Sequence, residues 1–192
     1  NWAKAQGFEA KPGQVLVLPD GDGAIVAVLV GCQTDSAGLA DPGFTLGALA
    51  GQLPAGTYRL ETPIANADMA LTAFLLGTYS FTTFKPAKRG QVRLATSETP
   101  RERAITQARG VIFGRDLINT PANLLGPAAL ADSALGLANA FGAETSMIVG
   151  DDLLDTDNSF PMIYTVGAAA KDAPRLFDMR WNGGPTDAPR IT

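Results

Sequence analysis

The sequence predicts an α/β fold, and three observations carry that prediction. Short apolar runs with strand character alternate with stretches of helical three- and four-residue spacing, Gly, Pro, Asn and Asp mark the joins between them, and no fixed-period repeat or low-complexity segment interrupts the series. At 192 residues, 46% apolar and 18% charged, the chain has enough apolar surface for one ordinary domain or two small ones and lies far from the composition of disordered chains.

Residues 14–18 and 24–30 are apolar runs separated by Asp20-Gly21-Asp22-Gly23, which predicts a β-hairpin because Gly supplies the positive φ of a tight turn. A calcium reading of that turn is set aside, since the further oxygen ligands and distant Glu of an EF-hand loop are missing. Residues 32–43 have loop composition. A short helix is expected over 44–53, stopped by Pro54 and Gly56, followed by a strand over 57–61. Asn66 is placed to N-cap a helix reaching about Thr78, with Met69, Ala70, Ala73, Phe74 and Gly77 on its buried face. Tyr79, Phe81 and Phe84 alternate with polar residues, then Lys85, Lys88 and Arg89 follow. That combination could form a nucleic-acid surface, but period-two aromatics more often form the packed face of a strand, and this is the reading preferred here.

Residues 91–95 are a strand candidate. Thr99-Pro100-Arg101-Glu102 then has the form of a capping box, with Pro where its missing N–H costs nothing, and opens a helix striped by Ala104, Ile105, Ala108, Val111, Ile112 and Arg115 toward Leu117. Gly110 and Gly114 flatten one patch of it, read as close packing against a neighbour rather than as a helix-pairing motif. Pro121 and the flanking Asn119 and Asn123 end the helix. A second helix begins at Gly126-Pro127, buries Leu130, Ala131, Ala134, Leu137, Ala138 and Phe141, and closes on a left-handed Gly142. Residues 145–149 form a strand, Asp151-Asp152-Leu153-Leu154 restarts a short helix, and residues 175–181 form the next strand. A loop over 182–188 leads into the first residues of a return strand at Pro189, so the parent protein is expected to continue past Thr192, just as the start at Asn1 reads like a cut end.

The composition also limits the chemistry. The absence of His excludes, within this chain, Ser-His-Asp and Cys-His catalysis and His-ligated metals. The single Cys32 allows no internal disulfide and points to a reducing compartment, the cytoplasm; it reads as a small packed hydrophobe rather than a nucleophile. A net charge of −4 gives no general attraction to nucleic acid. The longest apolar run, residues 24–31, is far short of the roughly 20 residues that span a bilayer. There is no Walker loop, Gly-x-Gly-x-x-Gly, Gly-x-Ser-x-Gly, Ser-x-x-Lys or Tyr-x-x-x-Lys. Asp151, Asp152, Asp155 and Asp157 could hold a divalent cation, but acidic residues at a helix start need no metal to explain them.

Several segments, in order, are similar to the leucyl (cytosol) aminopeptidase family. They are Glu102-Arg103-Ala104, Arg115-Asp116-Leu117-Ile118-Asn119-Thr120-Pro121-Ala122-Asn123, Gly126-Pro127, Val149-Gly150-Asp151-Asp152-Leu153-Leu154, Phe160-Pro161 to Val166-Gly167, and Pro174-Arg175-Leu176-Phe177-Asp178-Met179-Arg180-Trp181. The resemblance implies an N-terminal α/β domain with a mixed sheet over 1–98, a connecting helix over 99–118 and the first strands and helices of an α/β peptidase domain over 119–192. It further implies an enzyme that releases N-terminal amino acids from peptides, uses two divalent metal ions, zinc or manganese, to polarise the scissile carbonyl and activate water, and assembles as a homo-hexamer. The family's metal-binding and catalytic motifs would begin after Thr192. No catalytic, metal or substrate-binding residue is therefore assigned within this sequence, and the 192-residue chain alone is expected to be inactive and to bind no metal. The competing reading is a non-catalytic α/β binding or assembly module resembling a macro domain, with residues 38–51 as its glycine-lined loop.

Overall fold

The computed structural model describes residues 2–87, 90–96, 101–187 and 189. The chain divides into two compact units, Asn1–Asp116 and Leu117–Thr192. Among the described residues no helix is long and apolar enough to cross a membrane.

The first unit opens with a one-turn helix, α1 (Trp2–Ala5), and the expected hairpin, β1 (Val15–Pro19) against β2 (Ile25–Val30). Asp20 sets its turn: one carboxylate oxygen accepts from the backbone N–H of Asp22 at 3.0 Å and of Ala24 at 2.8 Å. Val15 faces Val30 and Val17 faces Val28, so the two pairs share one side of the ladder and turn it toward the core. The segment read as loop contains a two-residue ladder, β3 (Gln33–Thr34) with β4 (Ala40–Asp41), closed by Asp35 and by Gly38 at φ +81°. Cys32 is half-buried, less enclosed than a packed core hydrophobe.

Next come α2 (Thr45–Leu49), β5 (Gly56–Arg59), α3 (Ala67–Gly77) and β6 (Val92–Ala95), with β5 and β6 parallel and joined across α3. The unit is α/β as expected, but the mixed sheet expected for it is not formed among the described residues: the antiparallel β1–β2 and β3–β4 ladders and the parallel β5–β6 ladder are separate two-stranded pairs. Leu46, Leu49, Ala50, Leu53, Ala70 and Phe74 form the core, and Tyr58, Val92 and Leu94 reach it from the parallel pair. Full burial of a side chain such as Phe74 contributes about 1.5–3 kcal/mol. Helices α2 and α3 cross closely because of Gly47 and Gly77: a Cβ on Gly47 would lie 2.8 Å from the Ala73 carbonyl oxygen, and one on Gly77 would overlap the carbonyl of Gly47.

Three expectations for this unit are corrected. Asn66 does not cap α3 through its side chain; it sits in the left-handed region (φ 49°, ψ 47°), which Asn tolerates, and its carbonyl accepts from Ala70 N at 3.1 Å. The buried face of α3 is rotated from the expected one, with Leu71 inside and Met69 exposed. Residues 79–82 form no strand: the Phe81 ring meets the Phe84 ring edge-on at 5.8 Å, Tyr79 is drawn onto the following helix, and no neighbouring strand pairs with them. Lys88 and Arg89 lie outside the described residues, as do Thr99 and Pro100 of the capping box.

Helix α4 (Arg101–Asn119) forms where expected, but only Ala104 and Ala108 of its stripe are buried. A Cβ at Gly110 or Gly114 would meet no atom within 4 Å, so the close neighbour expected there is absent among the described residues.

The second unit contains α5 (Pro127–Phe141), β7 (Glu144–Val149), a 3-10 turn over Gly150–Leu154 and another over Thr156–Asn158, α6 (Pro161–Gly167) and β8 (Arg175–Arg180), with β7 and β8 antiparallel. Pro127 opens α5 and Gly142, at φ +65°, closes it, with the N–H of Ala143 returning to the Ala138 carbonyl at 2.9 Å. Ala131 and Ala138 are buried as expected, whereas Leu130 and Phe141 are exposed, because no described element covers that side of α5. The Trp181 indole N–H donates to the Phe141 carbonyl at 3.2 Å. Pro189 is not in a strand, and residues 190–192 of the expected return strand lie outside the described residues.

Candidate functional site

The acidic turn was the densest carboxylate cluster in the sequence. In the fold, Asp151 and Asp152 occupy the first turn of the 3-10 segment, where negative charge meets the positive end of the backbone dipoles. Among the described residues, no group of three or more Cys, Asp or Glu side chains is placed to hold a metal ion. The described residues therefore do not fit the donor set of a dimetal centre.

Asp151 does have a partner. The Asp151 carboxylate, through hydrogen bonding first and then its charge, with a small loss of solvation, holds the Tyr164 phenol above its ordinary pKa of 10.0. Because the folded-state value is raised, the interaction stabilises fully below the ordinary tyrosine pKa and is lost as pH climbs through the folded value. Asp151→Asn should lower the alkaline midpoint of Tyr164 in a tyrosinate absorbance titration, with Tyr164→Phe identifying the band. An unmoved midpoint would refute the pairing.

The segment around residues 115–123 carries the most specific motif, and its first residues bind backward within the first unit. Arg115 donates through Nη1 to the Leu76 carbonyl at 2.9 Å, near the C-terminal end of α3 where a cation is favoured, and its guanidinium lies 5.5 Å from the centroid of the Tyr79 ring. Tyr79 Oη donates to Asp116 Oδ1 at 2.8 Å. Arg115 and Asp116 thus clamp α4 onto the exit of α3. Helical spacing had placed Arg115 at the end of an apolar stripe, and no local signal could pair it with a carbonyl 39 residues away. In the second unit, Pro121 accepts from the N–H groups of Leu124 (2.9 Å) and Leu125 (3.0 Å), so the residues that stop α4 make a compact turn before α5.

Two clefts flank the parallel pair in the first unit. One, of about 400 Å³, opens among Arg59, Glu61, Ile64, Ala67 and Thr96; the other, of about 480 Å³, lies among Phe74, Leu75, Val92, Leu94 and Ile105. No residue of 38–51 lines either, so the glycine loop of the binding-module reading is not set against these cavities. Two of its four glycines have other roles, Gly38 in a turn and Gly47 in helix packing.

An α/β unit with a βαβ crossover, followed by a second α/β unit, is an arrangement that comparison with known proteins matches to the aminopeptidases. The profile of the M17 aminopeptidase N-terminal domain matches residues 1–97, and that of the catalytic domain of the cytosol aminopeptidase family matches residues 112–192. The chain belongs to the M17, or cytosol aminopeptidase, family. It is 32% identical over 167 residues to a probable cytosol aminopeptidase of Xanthobacter autotrophicus, covering 76% of this chain and 33% of that protein. It is 31% identical over 210 residues to the counterpart in Halorhodospira halophila, covering 94% and 42%. The crystal structure of cytosol aminopeptidase from Coxiella burnetii superposes with a TM-score of 0.82 at 32% identity, covering 98% of this chain and 40% of that one. The bottromycin maturation enzyme BotP, solved in complex with Mn, superposes with a TM-score of 0.67 at 28% identity, covering 93% and 41%. The chain spans about a third to two fifths of the length of these relatives.

Proposed function

We propose that residues 1–192 are the leading part of a metal-dependent aminopeptidase that removes N-terminal residues from peptides. Residues 1–98 are its N-terminal α/β domain, 99–118 the connecting helix and 119–192 the beginning of its catalytic domain. The observation that carries this reading is the order of the two family matches, N-terminal domain then catalytic domain, along one chain that superposes over 98% of its length on a cytosol aminopeptidase. Two divalent ions, zinc or manganese, would polarise the substrate carbonyl and activate water, held by side chains outside this sequence. The chain's own contribution is scaffolding: Arg115 and Asp116 fix α4, and the turn at Pro121 starts the second unit. A cytoplasmic homo-hexamer completes the proposal.

The test is release of leucine from an unblocked peptide by the longer protein, with manganese, with zinc and after chelation, beside the 192-residue chain. Metal-dependent release by the longer protein alone is expected; turnover by the 192-residue chain, or none by either, would overturn the reading. Pro121→Ala should lower the stability of the longer enzyme by about 0.4–1 kcal/mol, because the fixed φ of Pro reduces the freedom of the unfolded chain at this turn. Thermal unfolding with light scattering checks it, and unchanged melting and assembly would count against a role for the turn.

A further inference from the structure

The two clefts of the first unit differ in how their cations are used. In the smaller, Arg59 forms an ion pair with Glu61 at 2.6 Å, so its charge is satisfied within the chain. In the larger, of about 480 Å³, Phe74, Leu75, Leu94 and Ile105 supply apolar walls, while Arg93 of β6 and Arg101 of α4 line the same space. That volume falls within the roughly 300–1,000 Å³ of small-molecule sites. Gln91 Oε1 accepts from Nη2 of Arg93, a neutral partner that leaves the charge in place. Among the described residues neither guanidinium pairs with a carboxylate, and no Asp or Glu lines the cleft. Arg101 is also the first residue of α4, where the backbone dipole disfavours a cation, and Glu102, the acid of that turn, does not line the cleft. Two cations without an anion beside an apolar pocket match a ligand with a negative head on an apolar body.

We infer that this cleft is a binding site for a small monocarboxylate with an aliphatic or aromatic body, its carboxylate held by Arg93 and Arg101 and its apolar part among Phe74, Leu75, Leu94 and Ile105. The inference stands on the first unit alone and does not rest on the peptidase reading. A free amino acid is disfavoured, because its ammonium would enter an apolar space with no carboxylate to receive it. An added peptide strand is disfavoured as well: β6 is four residues long and carries Arg93 within it, and short, charged edges resist strand pairing.

The test is an NMR titration of the 192-residue chain with octanoate, with its neutral amide and with 2-aminooctanoate. Octanoate should saturate with a Kd of ~1 mM or tighter and shift the methyl signals of Leu94 and Ile105. Octanamide, which lacks the charge, and 2-aminooctanoate, which adds an ammonium, should each bind at least ~10-fold more weakly. Arg93→Gln/Arg101→Gln changes two exposed side chains; it should weaken octanoate by ~10-fold or more while leaving octanamide binding and the melting temperature unchanged. No saturation by octanoate, equal binding of octanoate and octanamide, an unaltered octanoate affinity in the double variant, or shifts confined to other residues would overturn the inference. Binding of 2-aminooctanoate as tight as that of octanoate would overturn the ligand class. Arginine-dependent binding of the blocked acidic peptide acetyl-Val-Glu-Val-Glu-Val-amide, without binding of octanoate, would assign the cleft to a peptide strand and overturn the inference.

Discussion

Gly77→Ala should destabilise the first unit by about 3 kcal/mol, the upper part of the range for an overpacked core. The added methyl would overlap the carbonyl of Gly47, which is backbone and cannot rotate aside, so α2 and α3 would have to separate. Separation would pull Leu46 and Leu49 from Phe74 and loosen the cluster onto which the strands pack. Gly110→Ala is the control: its position on α4 is open and its φ is not positive, so the same substitution should stabilise by about 0.5–1 kcal/mol through helix propensity. Urea unfolding of the two variants against the parent chain checks the pair. Similar effects at both positions would show that the helix crossing is not the constraint described.

Leu153→Ala should cost the second unit about 2–5 kcal/mol, the usual range for emptying a fully buried leucine site. Leu153 is 0% exposed, and its carbonyl accepts from Phe160 N at 2.7 Å, so the side chain and backbone of one residue hold the acidic turn against the start of α6. Its neighbour Leu154 is 47% exposed and should tolerate alanine within about 0.5 kcal/mol. Limited proteolysis of the two variants, read as the rate of cleavage within residues 150–180, separates these outcomes. Equal cleavage would mean that the buried leucine is not what anchors the turn.

Much of the fold was legible because local signals agreed. The Asp-Gly hairpin, Pro127 at the start of α5 and Gly142 at its end each depend on backbone geometry that the residue type itself imposes. Burial was read less well. On α3 and α5, Leu, Met, Phe and Ala surround much of the helix, so periodicity identified the helix without settling which side faced inward, and Met69, Leu130 and Phe141 were misassigned. The aromatic alternation of Tyr79, Phe81 and Phe84 failed as a strand signal because a strand needs a partner, and pairing is decided far along the chain. The family was legible from spaced motifs over residues 102–181, yet those motifs identify the scaffold rather than the hydrolytic groups. The Arg115–Leu76 and Tyr79–Asp116 contacts were invisible for the same long-range reason.

The parallel pairing of β5 and β6 bears on the order of events during synthesis. The β1–β2 hairpin can close as soon as residue 30 clears the ribosome, but β5 has no ladder partner until α3 and residues 92–95 have been made. At ~5–20 residues per second, Gly56–Arg59 waits for seconds with an open edge. Nascent chains halted before residue 92 should therefore recruit chaperones through that strand, and those released beyond it should not.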